Sequence, residues 1–283
     1  MSDAGLPTPL VDPDWLADHL DAPDVRVVDA TWCLPQTGRD PRREYARRHI
    51  PGAVFFDLDE ICPPRGIHPH PVPDPARFSA RVRRLGLGDG VRIVLYDDND
   101  YCASARVWWL FRYFGHEDVA VLDGGLRRWL AEGRPVSDET PSPRERHFTP
   151  RCNNLLLREL DRIRADLTTR REQIVDARAP GRFHGTEPEP RPGLRPGHIP
   201  GSRNVWYRIL VHEDGTLATP EEIRRIFAEA GVDLRRPIVT TCGSGVSACV
   251  LNLALARIGI RDAAVYDGSW VEWGSRSDTP VET

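Results

Sequence analysis

"VAVLDGGLRRW" (Val119–Trp129) returns later in the chain as "AAVYDGSWVEW" (Ala263–Trp273). Each is an apolar run, an Asp-Gly turn and a segment that closes on tryptophan. Three more pairs keep the same order. "VRVVDATW" (Val25–Trp32) matches "EQIVDARA" (Glu172–Ala179), "RRHIPGAVFF" (Arg47–Phe56) matches "PGHIPGSRNV" (Pro196–Val205), and "VRIVLYDD" (Val91–Asp98) matches "RPIVTTCG" (Arg236–Gly243). The offset stays near-constant. A period this long means two copies of one domain, not a solenoid of short repeats.

Within each copy, apolar runs alternate with helical patterns. Val25–Asp29, Ile93–Asp97 and Ala120–Leu122 read as strands, with counterparts at Ile174–Asp176, Ile238–Thr241 and Ala263–Tyr266. The runs are continuously apolar, as expected of strands covered on both faces. Helical patterns cover Leu16–Leu20, Ala76–Leu85, Ala105–Phe114 and Leu126–Glu132, then Leu155–Thr168, Pro220–Ala230 and Val246–Ile258. This alternation predicts an α/β fold in two tandem domains, each a mostly parallel sheet with helices on both faces. The charged, proline-rich stretch "DETPSPRERHFTPRCN" reads as a linker. The expected boundaries are a domain over 1–137, a linker over 138–153 and a domain over 154–283.

Composition excludes several function classes. The 283 residues have 40% hydrophobic and 28% charged content, as in soluble globular chains. No apolar stretch reaches the roughly 20 residues that span a bilayer. Residues 1–12 carry acidic but no basic residues, unlike a signal peptide, so a cytoplasmic protein is expected. A net charge of -4 argues against nucleic acid as a partner. There is no lysine, so all 38 basic residues are arginine, which removes Schiff-base and P-loop lysine chemistry. An anionic substrate must then be held by arginine forks or backbone N–H groups. The six cysteines form no C-x-x-C pair and no zinc spacing, so neither a metal nor a disulfide framework is expected.

One cysteine stands apart. "TTCGSGVSA" (Thr240–Ala248) puts Cys242 at the carboxyl end of a buried strand, ahead of a glycine-rich turn and a helix. In open α/β sheets ligands bind at that edge. Gly243 and Gly245 permit a loop whose N–H groups turn inward as an anion nest, and the helix adds the positive end of its dipole. Both stabilise a thiolate, which favours a solvent-reachable nucleophile over a structural thiol. Cys249, one turn into the helix, reads as core. A C-x5-R phosphatase would need arginine where Ala248 stands, so that chemistry is excluded.

Taken together, the tandem α/β copies, "HIPG" in each, "DGG…W" and "DGSWVEW", and a cysteine loop in the second copy alone resemble the two-domain rhodanese-type sulfurtransferases. Within that family "CGSGVS" is similar to the loop of the 3-mercaptopyruvate enzymes, since thiosulfate-preferring members carry basic residues where Gly243 and Ser244 stand. Ser247 replaces the usual threonine. The resemblance implies that Cys242 is the nucleophile and passes through a persulfide. It implies that Gly243, Gly245, Val246 and Ser247 form the anion loop, and that Arg182 and Arg191, in "GRFHGTEPEPRPG" (Gly181–Gly193), bind a keto acid. The plain alternative for these arginines is surface pairing with Glu187 and Glu189. It further implies a Ser244–His70–Asp59 relay, with His68 as a rival for His70. Asp97 stands where Cys242 would be, so the first copy should be silent, with Cys102 structural. No cofactor is implied. The expected partners are 3-mercaptopyruvate as donor and cyanide, a small thiol or thioredoxin as acceptor. Thiosulfate:cyanide transfer and a non-catalytic sulfur-carrier or docking module are the alternatives.

Overall fold

The apolar runs form strands buried along nearly their whole length. A computed structural model describes residues 6–283 apart from residue 8, so part of the 1–12 stretch read for a signal peptide lies outside the described residues. In the first half, β1 (Leu10–Val11), β2 (Val25–Asp29), β3 (Val54–Phe55), β4 (Arg92–Tyr96) and β5 (Val119–Leu122) form one sheet in the order β1-β5-β4-β2-β3. In the second half, β6 (Leu157–Arg158), β7 (Gln173–Asp176), β8 (Arg203–Asn204), β9 (Ile238–Thr241) and β10 (Ala264–Tyr266) repeat it as β6-β10-β9-β7-β8. Every strand pair is parallel. The duplication therefore holds in topology as well as in sequence.

The helices are α1 (Pro13–His19), α2 (Pro41–Arg47), α3 (Leu58–Ile61), α4 (Pro75–Arg84), α5 (Cys102–Tyr113) and α6 (Gly125–Ala131), then α7 (Leu160–Thr169), α8 (Pro180–Phe183), α9 (Pro220–Glu229), α10 (Ala248–Arg257) and α11 (Ser269–Trp273). Proline opens α1, α2, α4 and α9, capped by Asp12, Asp40, Asp74 and Thr219. Proline's fixed φ and missing N–H suit that first position. Side chains alternate between sheet faces. Val25, Val27, Val94, Tyr96, Ala120 and Leu122 pack with Leu16 of α1 and with Leu126 and Trp129 of α6. The intervening Val28, Ile93, Leu95, Val119 and Val121 are buried too, and α5 lies against β4 and β5.

Two expectations need correction. The helix expected over 155–168 begins at Leu160, because Leu157 and Arg158 pair with β10 as an edge strand, and sheet pairing overrides helix propensity. The helix after Cys242 begins at Ala248, leaving Val246 and Ser247 in the loop. The 138–153 stretch has almost no regular structure yet is laid along the first half. Its His147 and Phe148 carbonyls accept bonds from the Asp89 N–H and Ser79 hydroxyl, and Phe148 is buried against Phe78 and Phe111.

The chain divides into two compact units. Unit 1 comprises the residues up to Ile61, Pro73–Asn153 and His212–Leu217; unit 2 comprises Cys62–Val72, Asn154–Val211 and Ala218–Thr283. Each unit thus includes a short segment from the other half of the sequence. Among the described residues no helix is long and apolar enough to cross a membrane.

Candidate active site

Cys242 follows the last residue of β9, and its backbone is fixed by the turn that opens α11. Its N–H donates to Ser269 Oγ at 3.2 Å and its carbonyl accepts from the Trp270 N–H at 2.9 Å. The Gly243 carbonyl accepts from Val271 N–H at 2.9 Å. Ser269 also donates to the Tyr266 carbonyl, and it sits at a φ of +48°, a left-handed conformation strained for a residue with a Cβ. Its counterpart in unit 1 is Gly125.

The loop closes over the sulfur. The Gly245 N–H donates to Cys242 Sγ at 3.1 Å, and Gly245 takes a φ of +80° that glycine alone adopts freely. The N–H groups of Gly243, Ser244, Val246 and Ser247 find no acceptor among the described residues. Backbone N–H groups without an acceptor, ahead of a helix N-terminus, are donors of the kind that bind anions. Gly243 does not use the backbone freedom expected of it: its φ is ordinary, and a Cβ there would lie 3.0 Å from Arg182 Nη2, so the arginine would have to shift slightly. The solvent-reachable cysteine is also corrected. Cys242 is only 1% exposed, because its backbone bonds tuck the strand end beneath α11. Cys249 is core, its thiol bonded to the Gly245 carbonyl.

The arginines are set by a buried chain of alternating charges. Arg178 is fully buried and grips the Asp176 carboxylate through Nε and Nη2, with Nη2 2.7 Å from Oδ2. Its Nη1 donates to Glu189 Oε1 at 2.7 Å, and its guanidinium lies 4.4 Å from the Trp270 ring centroid. Glu189 in turn accepts from Arg182 Nε at 3.2 Å and Nη2 at 2.5 Å. The alternative reading of Arg182 as paired with Glu189 is therefore met, but the carboxylate is 3% exposed, not at the surface. Arg191 differs. It is half-buried, has no hydrogen bond or ion pair among the described residues, and lies close enough to Cys242 to interact electrostatically. Burial pushes its guanidinium below its ordinary range, though an arginine stays charged.

The relay residues are placed unevenly. His70 belongs to unit 2 and is buried. Its segment is tied to that unit by the Val72 N–H donating to Asp267 Oδ2 at 2.8 Å. His68 sits 3.9 Å from Glu272. The Ser244 hydroxyl makes no hydrogen bond among the described residues, so its link to His70 is not formed here. Asp59 belongs to unit 1, exposed on α3, and accepts from Trp32 Nε1 at 3.1 Å. Among the described residues no cluster of His, Cys, Asp and Glu is arranged to hold a metal ion. Unit 1 has open cavities of about 470 and 350 Å³, but neither is lined by a cysteine, so cavity size does not mark the site.

Sequence reasoning missed Arg178 and Ser269, and it placed Glu189 only as a surface partner. The aligned copies hold a signal for two of them: Thr31 stands opposite Arg178, and Gly125 opposite Ser269.

Known proteins share both the fold and this loop-bearing half. The family model of the rhodanese-like domain matches residues 12–132 and again 158–276, and the chain belongs to that family. It is 44% identical to human 3-mercaptopyruvate sulfurtransferase over 95% of this chain and 92% of that one. It is 43% identical to rat thiosulfate sulfurtransferase over 97% and 94%. The solved structure of SseA from Escherichia coli, described as a 3-mercaptopyruvate sulfotransferase, superposes with a TM-score of 0.85 at 36% identity, covering 93% of this chain and 99% of that one.

Proposed function

We propose that the protein is a sulfurtransferase that takes sulfur from 3-mercaptopyruvate. Identity does not separate the two donor classes, since 44% and 43% are equivalent. The observation that carries the reading is the cradle beside Cys242: uncommitted loop N–H groups, an unpaired Arg191, and glycine and serine directly after the cysteine. Thiosulfate is a dianion and would want a cation at those loop positions, whereas a keto-acid monoanion fits arginine forks.

The Cys242 thiolate attacks the donor sulfur. The S–S bond forms as the carbon–sulfur bond breaks, and the carbon keeps the bonding pair as the pyruvate enolate. The proton of the donor thiol, or one delivered by Ser244 with His70 as partner, goes to that carbon. Arg182 and Arg191 hold the carboxylate and the developing enolate oxygen, and fixed donors favour such charge. The loop N–H groups hold the persulfide. Cyanide then takes the outer sulfur as thiocyanate and restores the thiolate; a small thiol or thioredoxin serves as an alternative acceptor. Because Cys242 is buried, the donor's narrow terminal sulfur must enter the loop end-on. The nucleophile and both donor-binding arginines are assigned to the 154–283 half. None of the six cysteines forms a disulfide, which suits a reducing compartment, and we place the activity in the cytoplasm.

The relatives named for thiosulfate favour the second reading, thiosulfate:cyanide transfer. Measuring kcat/KM for both donors with cyanide as acceptor decides between them. We expect 3-mercaptopyruvate to be favoured at least tenfold; a thiosulfate preference of that size reverses the assignment.

A further inference from the structure

We propose that Glu189 is the residue that aims Arg182 and sets the charge of the donor pocket, and so selects a monoanionic over a dianionic donor. The inference rests on the reading of Cys242 as the sulfur acceptor from a keto acid, and it adds a residue to that site.

The geometry is a closed circuit within unit 2. The Cys242 carbonyl is bonded by Trp270 N–H, the Trp270 ring carries Arg178, Arg178 holds Glu189, and Glu189 holds Arg182. Arg182 then lies back over the cysteine loop at Gly243, where a Cβ would meet its Nη2 at 3.0 Å. Glu189 takes the Nε–Nη2 edge of Arg182 and leaves Nη1 without a partner among the described residues. The guanidinium is thus fixed along one edge and available along the other. A flexible arginine on a loop would lose that orientation, and placement within about half an ångström is what a planar fork needs to be productive.

The same carboxylate sets the charge. Asp176 offsets Arg178, and Glu189 offsets Arg182, all four in direct contact. That leaves Arg191, which interacts electrostatically with Cys242 and Glu189, as the cation without a contact ion pair among the described residues. With the Cys242 thiolate counted these groups carry no net charge, so a single carboxylate must be held by directional contacts to the forks and each further negative charge on the donor is costlier. A dianion brings a second negative charge towards Glu189 in a poorly solvated pocket, where like charges are costly. Glu189 therefore acts by repulsion on the wrong donor and by alignment on the right one.

The test is the ratio of kcat/KM for 3-mercaptopyruvate to that for thiosulfate in the full chain. In Glu189→Gln the ratio should fall at least tenfold, with kcat lost on 3-mercaptopyruvate and KM lowered for thiosulfate. Equal losses on both donors, or an unchanged ratio, overturn the proposal, since a purely structural residue would lower both together. Glu189→Asp keeps the charge but withdraws it by one methylene, and it supplies the reading even if the glutamine variant does not fold. Its kcat on 3-mercaptopyruvate should drop about three- to tenfold while thiosulfate changes less than about twofold; a parallel drop overturns the aiming role. If the unsubstituted protein prefers thiosulfate, the donor assignment fails however Glu189 behaves. If it prefers 3-mercaptopyruvate and the ratio survives Glu189→Gln, this inference alone fails.

Discussion

The two copies build the same loop around different occupants. In unit 1 the Asp97 carboxylate accepts from the N–H groups of Asn99, Tyr101, Ala103 and Ser104 at 2.8 to 3.2 Å. In unit 2 the equivalent position is Cys242, which takes only the Gly245 N–H and leaves its neighbours' donors uncommitted. Both loops enter the left-handed region at the same position, Asp100 at a φ of 58° in one and Gly245 at 80° in the other, and the first stays there for Tyr101 at 64°. The side chain at one position thus decides how many loop N–H groups are taken up from within, four by Asp97 and one by Cys242. The strand behind each loop differs in the same sense. Asp176 is clamped by Arg178, whereas Asp29 faces Thr31 and has no ion pair among the described residues. Burial pushes the Asp29 carboxyl up to about 6, and it pushes Asp97 up as well.

Substitutions can break this contrast. The largest effect is expected at the occupants. Cys242→Ser should reduce turnover with either donor by roughly a thousandfold or more, while Cys102→Ser in the filled loop stays within about twofold of the parent. Mass spectrometry after donor treatment should find the added sulfur on Cys242 alone; sulfur on Cys102 would contradict the contrast. Next comes the uncompensated carboxylate. Asp29 titrates near 3.8 when unfolded and about 6 when folded, so the folded state binds more protons between those values. Its contribution is most favourable below pH 4 and is lost as pH rises through 6. Asp29→Asn should therefore raise stability at pH 8 by up to about 3 kcal/mol and change little at pH 4, read by urea unfolding at both pH values. A gain that is equal at both would remove burial of charge as its cause. The smallest effect belongs to Ser269→Gly. It relieves a strain of about 1 kcal/mol but loses the bonds from Thr241 Oγ1 and the Cys242 N–H and the one to the Tyr266 carbonyl, each worth about 1 kcal/mol, so stability should fall by about 2 kcal/mol. Turnover should also fall several-fold as the Cys242 N–H loses its acceptor; unchanged turnover would free Ser269 from any part in holding the loop.

These contrasts also show what the sequence could reveal. The inner strands were legible because their continuous apolar runs are buried on both faces, and β2 and β9 fall where those runs predicted. The edge strands β1, β3, β6 and β8 are two residues long and carry no period of their own. The position of Cys242 at the carboxyl end of β9 was legible from local spacing. The charged chain was not, because Asp176, Arg178, Glu189 and Arg182 meet only after β7 and the loop beyond α8 fold together. The "HIPG" histidines repeat in both copies for a structural reason: His49 and His198 bond to the carbonyls of Tyr45 and Phe183.

Because residues 62–72 are built into the unit that carries Cys242, and 212–217 into the other, the boundary between the sequence repeats is not the boundary between the compact units. A polypeptide begun at the second repeat would omit His70 together with the stretch of chain that anchors it to Asp267. Neither half of the sequence alone contains all the residues of one compact unit, so the copy without the cysteine loop cannot simply be cut away.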